Sequence, residues 1–173
     1  MKQIEINLNE EGSLKRAIKD LEKYKRLLER RTQLLVKKLT DEGAKIARIK
    51  IVRLGAYYSG ELLSGVDGYY SPALRVGFVR VTSDHVAFVE FGTGVVGQNN
   101  SHQNGEYLAL AAWQYASGAK IFTTKNGRTG WIYPTDDGGC RFTEGMKSRP
   151  FMYETALELQ SKFAKIAKEV FRT

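Results

Sequence analysis

The residues whose surroundings could support chemistry are Glu90 and the two histidines of this 173-residue chain. Glu90 stands between the apolar residues Val89 and Phe91, and a buried carboxylate can act as a general base. The same carboxylate can instead form a salt bridge or cap a helix, and we favour this structural interpretation. His85 and His102 have no Cys, His, Asp or Glu partner at metal-ligand spacing, so we expect no zinc site.

A glycine-rich stretch suggests a second kind of chemistry, nucleotide binding. Gly92, Gly94 and Gly97 fit the pattern G-x-G-x-x-G. A dinucleotide site needs a helix that starts at these glycines and an acidic residue about 20 positions later. Here the glycines lead into the polar run 98–105, which has no apolar periodicity and predicts a loop. We therefore expect the glycines to let the backbone turn sharply, and we expect no nucleotide site.

Composition narrows the class of protein. The apolar content of 42% and charged content of 27% are ordinary for a globular protein. The single cysteine, Cys140, excludes an internal disulfide. No run of about 18 apolar residues and no secretory signal occur, so we expect no membrane partner and no export. We predict no catalytic, cofactor-binding or metal-binding residue.

The net charge of +8 is unevenly distributed. Residues 1–53 hold 15 Lys and Arg against 8 Asp and Glu, whereas residues 54–118 hold 2 against 5. A basic region of this kind can bind the phosphates of a nucleic acid. It is also typical of a solvated helix face with charged pairs four residues apart, which is the interpretation we favour.

Several elements must position these residues. Residues 4–8 alternate like a brief strand, and apolar residues then recur at helical spacing over 13–53, with Ser13 as a suitable N-cap. Gly43 permits a kink in this helix. Without a kink the helix would be about 60 Å long. A helix of that length exceeds what the core requires, which favours projection or packing against a partner.

The region 67–143 is predicted to be rich in β-structure. Residues 69–81 and 86–91 predict the two strands of a hairpin, with apolar residues on both faces. Residues 92–105 predict a mobile loop.

Two further patterns complete the chain. Asn126-Gly127 separates Ile121-Phe122 from Trp131-Ile132-Tyr133 and predicts a second hairpin, with another strand at 140–143. Residues 150–171 predict a C-terminal amphipathic helix, with Pro150 in its first turn. The sequence thus predicts one α+β domain over 1–173: a long N-terminal helix, a twisted antiparallel sheet and a C-terminal helix.

An ordered set of motifs carries a family resemblance. The long charged helix is followed by Phe88-Val89-Glu90-Phe91-Gly92-Thr93-Gly94, then by Gly130-Trp131-Ile132-Tyr133-Pro134, and then by Thr143-Glu144-Gly145-Met146-Lys147-Ser148-Arg149-Pro150-Phe151-Met152. In this order the motifs resemble the gene-product-10-like tail-component family of lambdoid and Gram-positive siphophages and prophages. The resemblance covers about residues 14–171.

The resemblance implies a structural virion protein without enzymatic activity or cofactor. Such proteins act in head–tail joining or tail completion, so we expect a homo-oligomeric ring in the neck or tail end, with six subunits. The implied partners are a connector or head-closure protein, a tail-tube or tail-terminator protein, and DNA in transit through the ring. The implied location is the virion, after viral assembly in the host cytoplasm.

The chain departs from the family at the turn after the first helix. Many relatives carry Pro-x-Asp-Thr-Gly there, whereas this chain has Tyr57-Tyr58-Ser59-Gly60-Glu61-Leu62-Leu63, without the Pro and the Asp. This departure leaves the position in the neck open. A basic nucleic-acid-binding module is the alternative function. The candidate assembly residues are Phe88, Glu90, Phe91, Gly92, Thr93, Gly94, Arg149, Pro150, Phe151 and Met152.

Overall fold

The chain folds into helices and small antiparallel sheets, which confirms the α+β class. The computed structural model describes residues 6, 10, 12–57, 60–115, 120–135 and 137–172. The brief strand predicted at 4–8 lies, except for Ile6, outside the described residues. In chain order the elements are α1 (Ser13–Arg53), α2 (Glu61–Ser64), β1 (Val66–Ser71), β2 (Val76–Val81), α3 (Val86–Phe91), α4 (Gly94–Asn99), α5 (Gly105–Leu110), β3 (Phe122–Thr123), β4 (Thr129–Pro134), β5 (Cys140–Thr143), β6 (Gly145–Met146) and α6 (Phe151–Arg172).

Helix α1 is unbroken over 41 residues, as the apolar periodicity predicts. Its N-cap is Gly12, with φ of 98°, rather than Ser13. Gly43 produces no break in the helix. A Cβ atom at Gly43 would lie 2.8 Å from Val79 Cγ2 and 3.2 Å from Leu159 Cδ2. This glycine therefore lets α1 approach both β2 and α6 closely.

Helix α6 runs antiparallel to the second half of α1. Lys50 Nζ lies 3.0 Å from Glu154 Oε2, near the start of α6. Lys162 Nζ, in the middle of α6, lies 2.9 Å from Glu42 Oε1. Near the end of α6, Arg31 donates to the Phe171 carbonyl at 3.1 Å. The contacts with α6 thus extend along α1 from residue 50 to residue 31.

The hydrophobic core lies where α1, α2, β1 and α6 meet. Ile51 and Phe151 are completely buried there, together with Leu62 and Val66. Full burial of a side chain of this size contributes about 1.5–3 kcal/mol. The core therefore fixes the second half of α1 against the start of α6.

The first hairpin differs from the prediction. β1 pairs antiparallel with β2, from Val66↔Val81 to Ser71↔Val76, so both strands lie before residue 82. Residues 86–91, predicted as the second strand, form helix α3. A six-residue apolar run fits a short buried helix as well as a strand, because it is too short to show a period.

The second hairpin agrees with the prediction. β3 and β4 pair around Asn126-Gly127, and β5 pairs with β4 from Trp131↔Thr143 to Pro134↔Cys140. The antiparallel strands are divided between this three-stranded sheet and the two-stranded β1–β2 sheet.

Residues 92–105, predicted as a loop, are partly helical. Helix α4 covers Gly94–Asn99, and residues 100–104 connect it to α5. Two glycines at positions 94 and 97 hid the helix from the sequence pattern, since glycine has low helix propensity. The predicted mobility of this segment stays a prediction.

Candidate functional site

The Glu90 carboxylate caps the start of α6. Glu90 is 4% exposed, and its two oxygens accept hydrogen bonds from the backbone N–H groups of Met152 and Tyr153, both at 2.9 Å. The first backbone N–H groups of a helix have no partner within it, and a carboxylate there also meets the positive end of the helix dipole. The favoured capping role of Glu90 is confirmed, although the residue lies on helix α3 rather than on a strand.

Backbone contacts join the same two segments. The Arg149 N–H donates to the Val89 carbonyl at 2.8 Å, and the Ser148 hydroxyl donates to the Glu90 carbonyl. The Ser148 N–H donates to the carbonyl of Asn100, at the end of α4. The first and the last of the three short stretches that carry the family resemblance therefore contact each other, and we call this unit the Glu90 junction (residues 88–94 and 148–153).

His102 belongs to this junction. Its side chain is fully buried, and its ring lies 5.1 Å from the Tyr153 ring and 5.5 Å from the Phe91 ring, measured between centroids. Nδ1 accepts a hydrogen bond from the Asn104 N–H at 3.0 Å and lies 3.3 Å from the Asn104 carbonyl oxygen. Nε2 lies 3.5 Å from Glu90 Oε1.

Burial raises the pKa of the Glu90 carboxyl above its usual range. The hydrogen bonds from Met152 and Tyr153 and the proximity of His102 oppose this rise in pKa, but desolvation is the larger effect. The carboxylate is thus held in an environment that favours its neutral form, with both oxygens already used by the helix start.

The glycines of the junction provide room for a second chain segment. Gly92 and Gly94 have φ of 81° and 63°, which confirms the expected sharp turn. A Cβ atom at Gly92 would lie 2.7 Å from the Ser148 nitrogen, and one at Gly94 would lie 2.4 Å from the Glu144 oxygen. The space in front of these glycines is filled by the protein's own backbone, which supports the structural interpretation of the G-x-G-x-x-G pattern.

Thr93 and Trp113 tie the glycine turn to its surroundings. Thr93 bridges to Met146, whose N–H donates to the Thr93 hydroxyl at 3.2 Å. The Trp113 indole donates to the Gly92 carbonyl at 3.0 Å. The turn is therefore held from two sides.

The ten candidate assembly residues differ in exposure. Phe88 is 45% exposed and is the only one of the ten that presents a large apolar side chain to solvent. Thr93, Arg149, Pro150 and Met152 are half-buried. The side chains or backbones of the remaining five are buried: Glu90, Phe91, Gly92, Gly94 and Phe151.

The sequence placed His102 in a polar loop and gave no sign that its side chain is fully buried. Its partners Glu90 and Tyr153 lie 12 and 51 residues away along the chain. No local spacing links them, because the contact depends on how α6 docks against α3. His85 precedes α3 and is exposed.

The first part of α1 presents an apolar surface to solvent. We call residues 13–30 the arm, since they lie beyond the contact between Arg31 and the end of α6. Its large apolar side chains are between 37% and 59% exposed, namely Leu14, Ile18, Leu21, Tyr24, Leu27 and Leu28. The arm also holds seven Lys and Arg against three Asp and Glu.

An open groove of about 570 Å³ runs along the arm. Ile18, Leu21 and Leu28 line it on the helix side. Tyr70 and Arg75, from the tip of the β1–β2 hairpin, close its other end. Most of the lining comes from one helix, so the groove is a shallow apolar surface suited to a protein segment rather than an enclosed pocket for a small molecule.

The outer face of the β1–β2 hairpin is also exposed. Tyr69 and Phe78 are paired across the strands and are 53% and 45% exposed. The inner face instead carries Gly68 and Gly77, which pack against Thr40 of α1. Val79 and Val81 on the inner face also pack against the core. The hairpin therefore has apolar residues on both faces, as the sequence predicts for residues 69–81.

Within the described ranges, no three His, Cys, Asp or Glu side chains come together in a way that could hold a metal ion. None of the described helices combines the length and the apolar character needed to cross a membrane.

Comparisons with known proteins give no relative. No family model matches the chain, and no curated protein and no solved structure is found to be similar to it. The resemblance to the tail-component family therefore stays a prediction from the sequence.

Proposed function

We propose that this protein is a non-enzymatic structural component of a tailed phage or prophage, a ring-forming subunit of the neck or tail end. Its partners are further copies of itself, the connector or head-closure protein, and the tail-tube or tail-terminator protein. DNA passes through the ring during packaging or ejection. The protein acts in the virion after assembly in the host cytoplasm, and we propose six subunits for the ring.

The observation that carries this proposal is the large apolar surface that a single chain leaves exposed. The arm leaves six large apolar side chains open to water, and the outer hairpin face adds Tyr69 and Phe78. Exposed groups of large apolar side chains are typical of protein–protein contacts. A closed ring buries such surfaces in every subunit, because each copy covers its neighbour.

The environment of Glu90 supports a structural role over a hydrolase. A general base must present a free oxygen to a substrate proton. Both oxygens of Glu90 instead accept hydrogen bonds from the first turn of α6, and the residue is 4% exposed. Glu90 therefore acts as the cap that holds α6 to α3.

A basic nucleic-acid-binding module is the second candidate function. The arm favours it through its seven Lys and Arg against three Asp and Glu. Binding of this kind requires cationic side chains near the phosphates and weakens steeply with salt. Retention of duplex DNA at low salt, lost at moderate salt, would support this candidate.

The experiment that tests the main proposal is assembly with purified neck and tail proteins encoded beside this protein. Light scattering over a concentration series measures self-association, and electron microscopy with and without the connector shows whether rings form. We expect rings alone or on the connector. A strict monomer that binds neither the connector nor the tail-tube protein contradicts the proposal.

A further inference from the structure

Helix α5 has an apolar surface that the described residues leave open to solvent. None of the six residues of Gly105–Leu110 is buried, and the segment continues with the exposed Ala111 and Ala112. Leu110 is 85% exposed and Tyr107 is 48% exposed. We call residues 105–112 the knob. Phe88, 45% exposed and packed on Trp113 beside it, extends this apolar surface.

The knob lies within an acidic part of the chain. Residues 81–119 contain three carboxylates, those of Asp84, Glu90 and Glu106, and no Lys or Arg. Asp84 and Glu106 are exposed, and Glu106 lies one helical turn before Leu110 on the same face of α5. The knob is thus an apolar surface with negative charge beside it.

The arm has the complementary character. Several of its apolar side chains line an open groove, and the charged residues of the arm that also line it are Lys25, Glu22 and Glu29. The net charge of the arm is positive, because it holds seven Lys and Arg against three Asp and Glu. An apolar segment with a negative charge beside it suits a helix that combines exposed apolar side chains with a net positive charge.

The two surfaces lie at opposite ends of the molecule. The Tyr107 ring lies 6.4 Å from the Tyr153 ring, and the next residue, Glu154, pairs with Lys50 on α1. Leu21, in the middle of the arm, precedes Lys50 by 29 residues, which corresponds to about 44 Å of helix. The knob of one chain therefore cannot reach the arm of the same chain.

We propose that the arm of one subunit receives the knob of a second copy of this chain. The contact is head-to-tail, since the arm and the knob are different surfaces. Repetition of such a contact generates a ring when the rotation closes. The inference deepens the proposed function and rests on it, because it names the two surfaces through which the ring subunits bind each other.

Two other uses of the arm agree less well with these observations. Pairing of two arms would bring two positively charged helices together, which costs free energy. Nucleic acid would be attracted by the lysines and arginines but would leave the exposed leucines of the groove in water. A second copy satisfies both the charge and the apolar surface.

The test uses the whole chain with a single substitution that disrupts either the arm or the knob. Leu21→Glu places a carboxylate in the arm, and Leu110→Glu places one on the knob; both leucines are more than half exposed, so folding should be retained and is checked by circular dichroism. Phe163→Glu, at a 49% exposed position in the middle of α6, is the control outside both surfaces. Self-association of each chain is measured by analytical ultracentrifugation up to the millimolar range.

We expect the Leu21→Glu and the Leu110→Glu chain each to associate at least about tenfold more weakly than the wild type, the effect of losing one central contact. The Phe163→Glu chain should associate like the wild type. Mixing the Leu21→Glu and Leu110→Glu chains leaves one intact arm and one intact knob, so the mixture should form a dimer and stop there.

Three results would overturn the inference. A wild-type chain that stays monomeric at millimolar concentration excludes the contact. Rings that form normally from the Leu21→Glu and Leu110→Glu chains place the subunit contact elsewhere and leave the proposed ring function intact. An arm substitution that changes DNA retention without changing self-association assigns the arm to nucleic acid. The proposed function fails separately, when the chain binds neither itself nor the connector or tail-tube protein.

Discussion

Replacement of Glu90 by alanine should loosen the attachment of α6 to α3. The substitution leaves the Met152 and Tyr153 N–H groups without their acceptors, which now lie at 2.9 Å. Hydrogen bonds to a charged group contribute about 1.5–3 kcal/mol each. Alanine also leaves no carboxylate to be buried away from water, which offsets part of the stability lost with the hydrogen bonds. We therefore expect the free energy of unfolding to fall by about 2–4 kcal/mol, a large part of the total stability of a typical domain.

Glu90→Gln is the matched comparison. The amide keeps one acceptor oxygen of nearly the same shape but places an NH₂ group opposite the second backbone N–H. The free energy of unfolding should therefore fall by roughly 1–2 kcal/mol, about half the decrease expected for Glu90→Ala. Urea unfolding followed by tryptophan fluorescence measures both variants, because the Trp113 indole is bonded to Gly92 in the same junction.

The pH dependence follows from the direction of the pKa shift. Burial raises the pKa of Glu90 in the folded protein, so the folded state binds the proton more tightly than the unfolded chain does. The stability contributed by this proton is fully present below the ordinary pKa of about 4.5 and is lost as the pH rises through the folded pKa. Glu90→Gln has no such proton, so its stability deficit relative to the wild type should shrink as the pH rises.

Two outcomes would refute this account of Glu90. A Glu90→Ala chain with wild-type stability would mean that the two hydrogen bonds do not hold α6. A stability deficit of Glu90→Gln that grows with pH would mean that the pKa of Glu90 is lowered, so that the helix start and His102 outweigh burial.

Three further predictions concern α1. Lys50→Met should lower the free energy of unfolding by about 1–2 kcal/mol at neutral pH, as it removes the cation that pairs with Glu154 and Glu158 of α6, of which only Glu158 keeps a second cation, Lys162. Because the hydrogen bond that Lys50 donates to Glu154 raises the pKa of Lys50, this difference should fade as the pH rises past the ordinary lysine value of 10.5, measured by urea unfolding at two pH values. Gly77→Ala should cost about 1–3 kcal/mol in thermal melts, since its Cβ would lie 1.9 Å from Thr40 Oγ1, whereas Gly105→Ala meets nothing within 4 Å and should be neutral. In hydrogen exchange of the isolated chain, backbone amides of the arm should exchange faster than those of residues 40–51; equal protection would contradict the described exposure.

The two long helices could be predicted because their patterns are long. Apolar residues repeat over many turns in α1 (41 residues) and α6 (22 residues), so each period is visible without knowledge of the fold. The Asn126-Gly127 hairpin was also predictable, since few structures other than a tight turn need that dipeptide between apolar segments.

The junction could be predicted only in part. The capping role of Glu90 was among the interpretations drawn from its sequence, but the helix it caps begins 61 residues later and no local pattern connects the two. The helix α3 was mistaken for a strand because its six residues, five of them apolar, are too few to show a period. The burial of His102 depends on aromatic partners brought together by tertiary packing, which a polar neighbourhood in the sequence hides.

The antiparallel packing of α6 on α1 has a consequence for synthesis on the ribosome. The pairs Lys50–Glu154 and Glu42–Lys162 join residues separated by 104 and 120 positions. At about 5–20 residues per second, α1 leaves the ribosome several seconds before α6 can cover its core-facing side. During that interval the nascent chain resembles an isolated amphipathic helix, which is a substrate for chaperones. Because α6 is the last of the described elements to be synthesised, it can cover α1, and the Glu90 cap can form, only when synthesis of the chain is nearly complete.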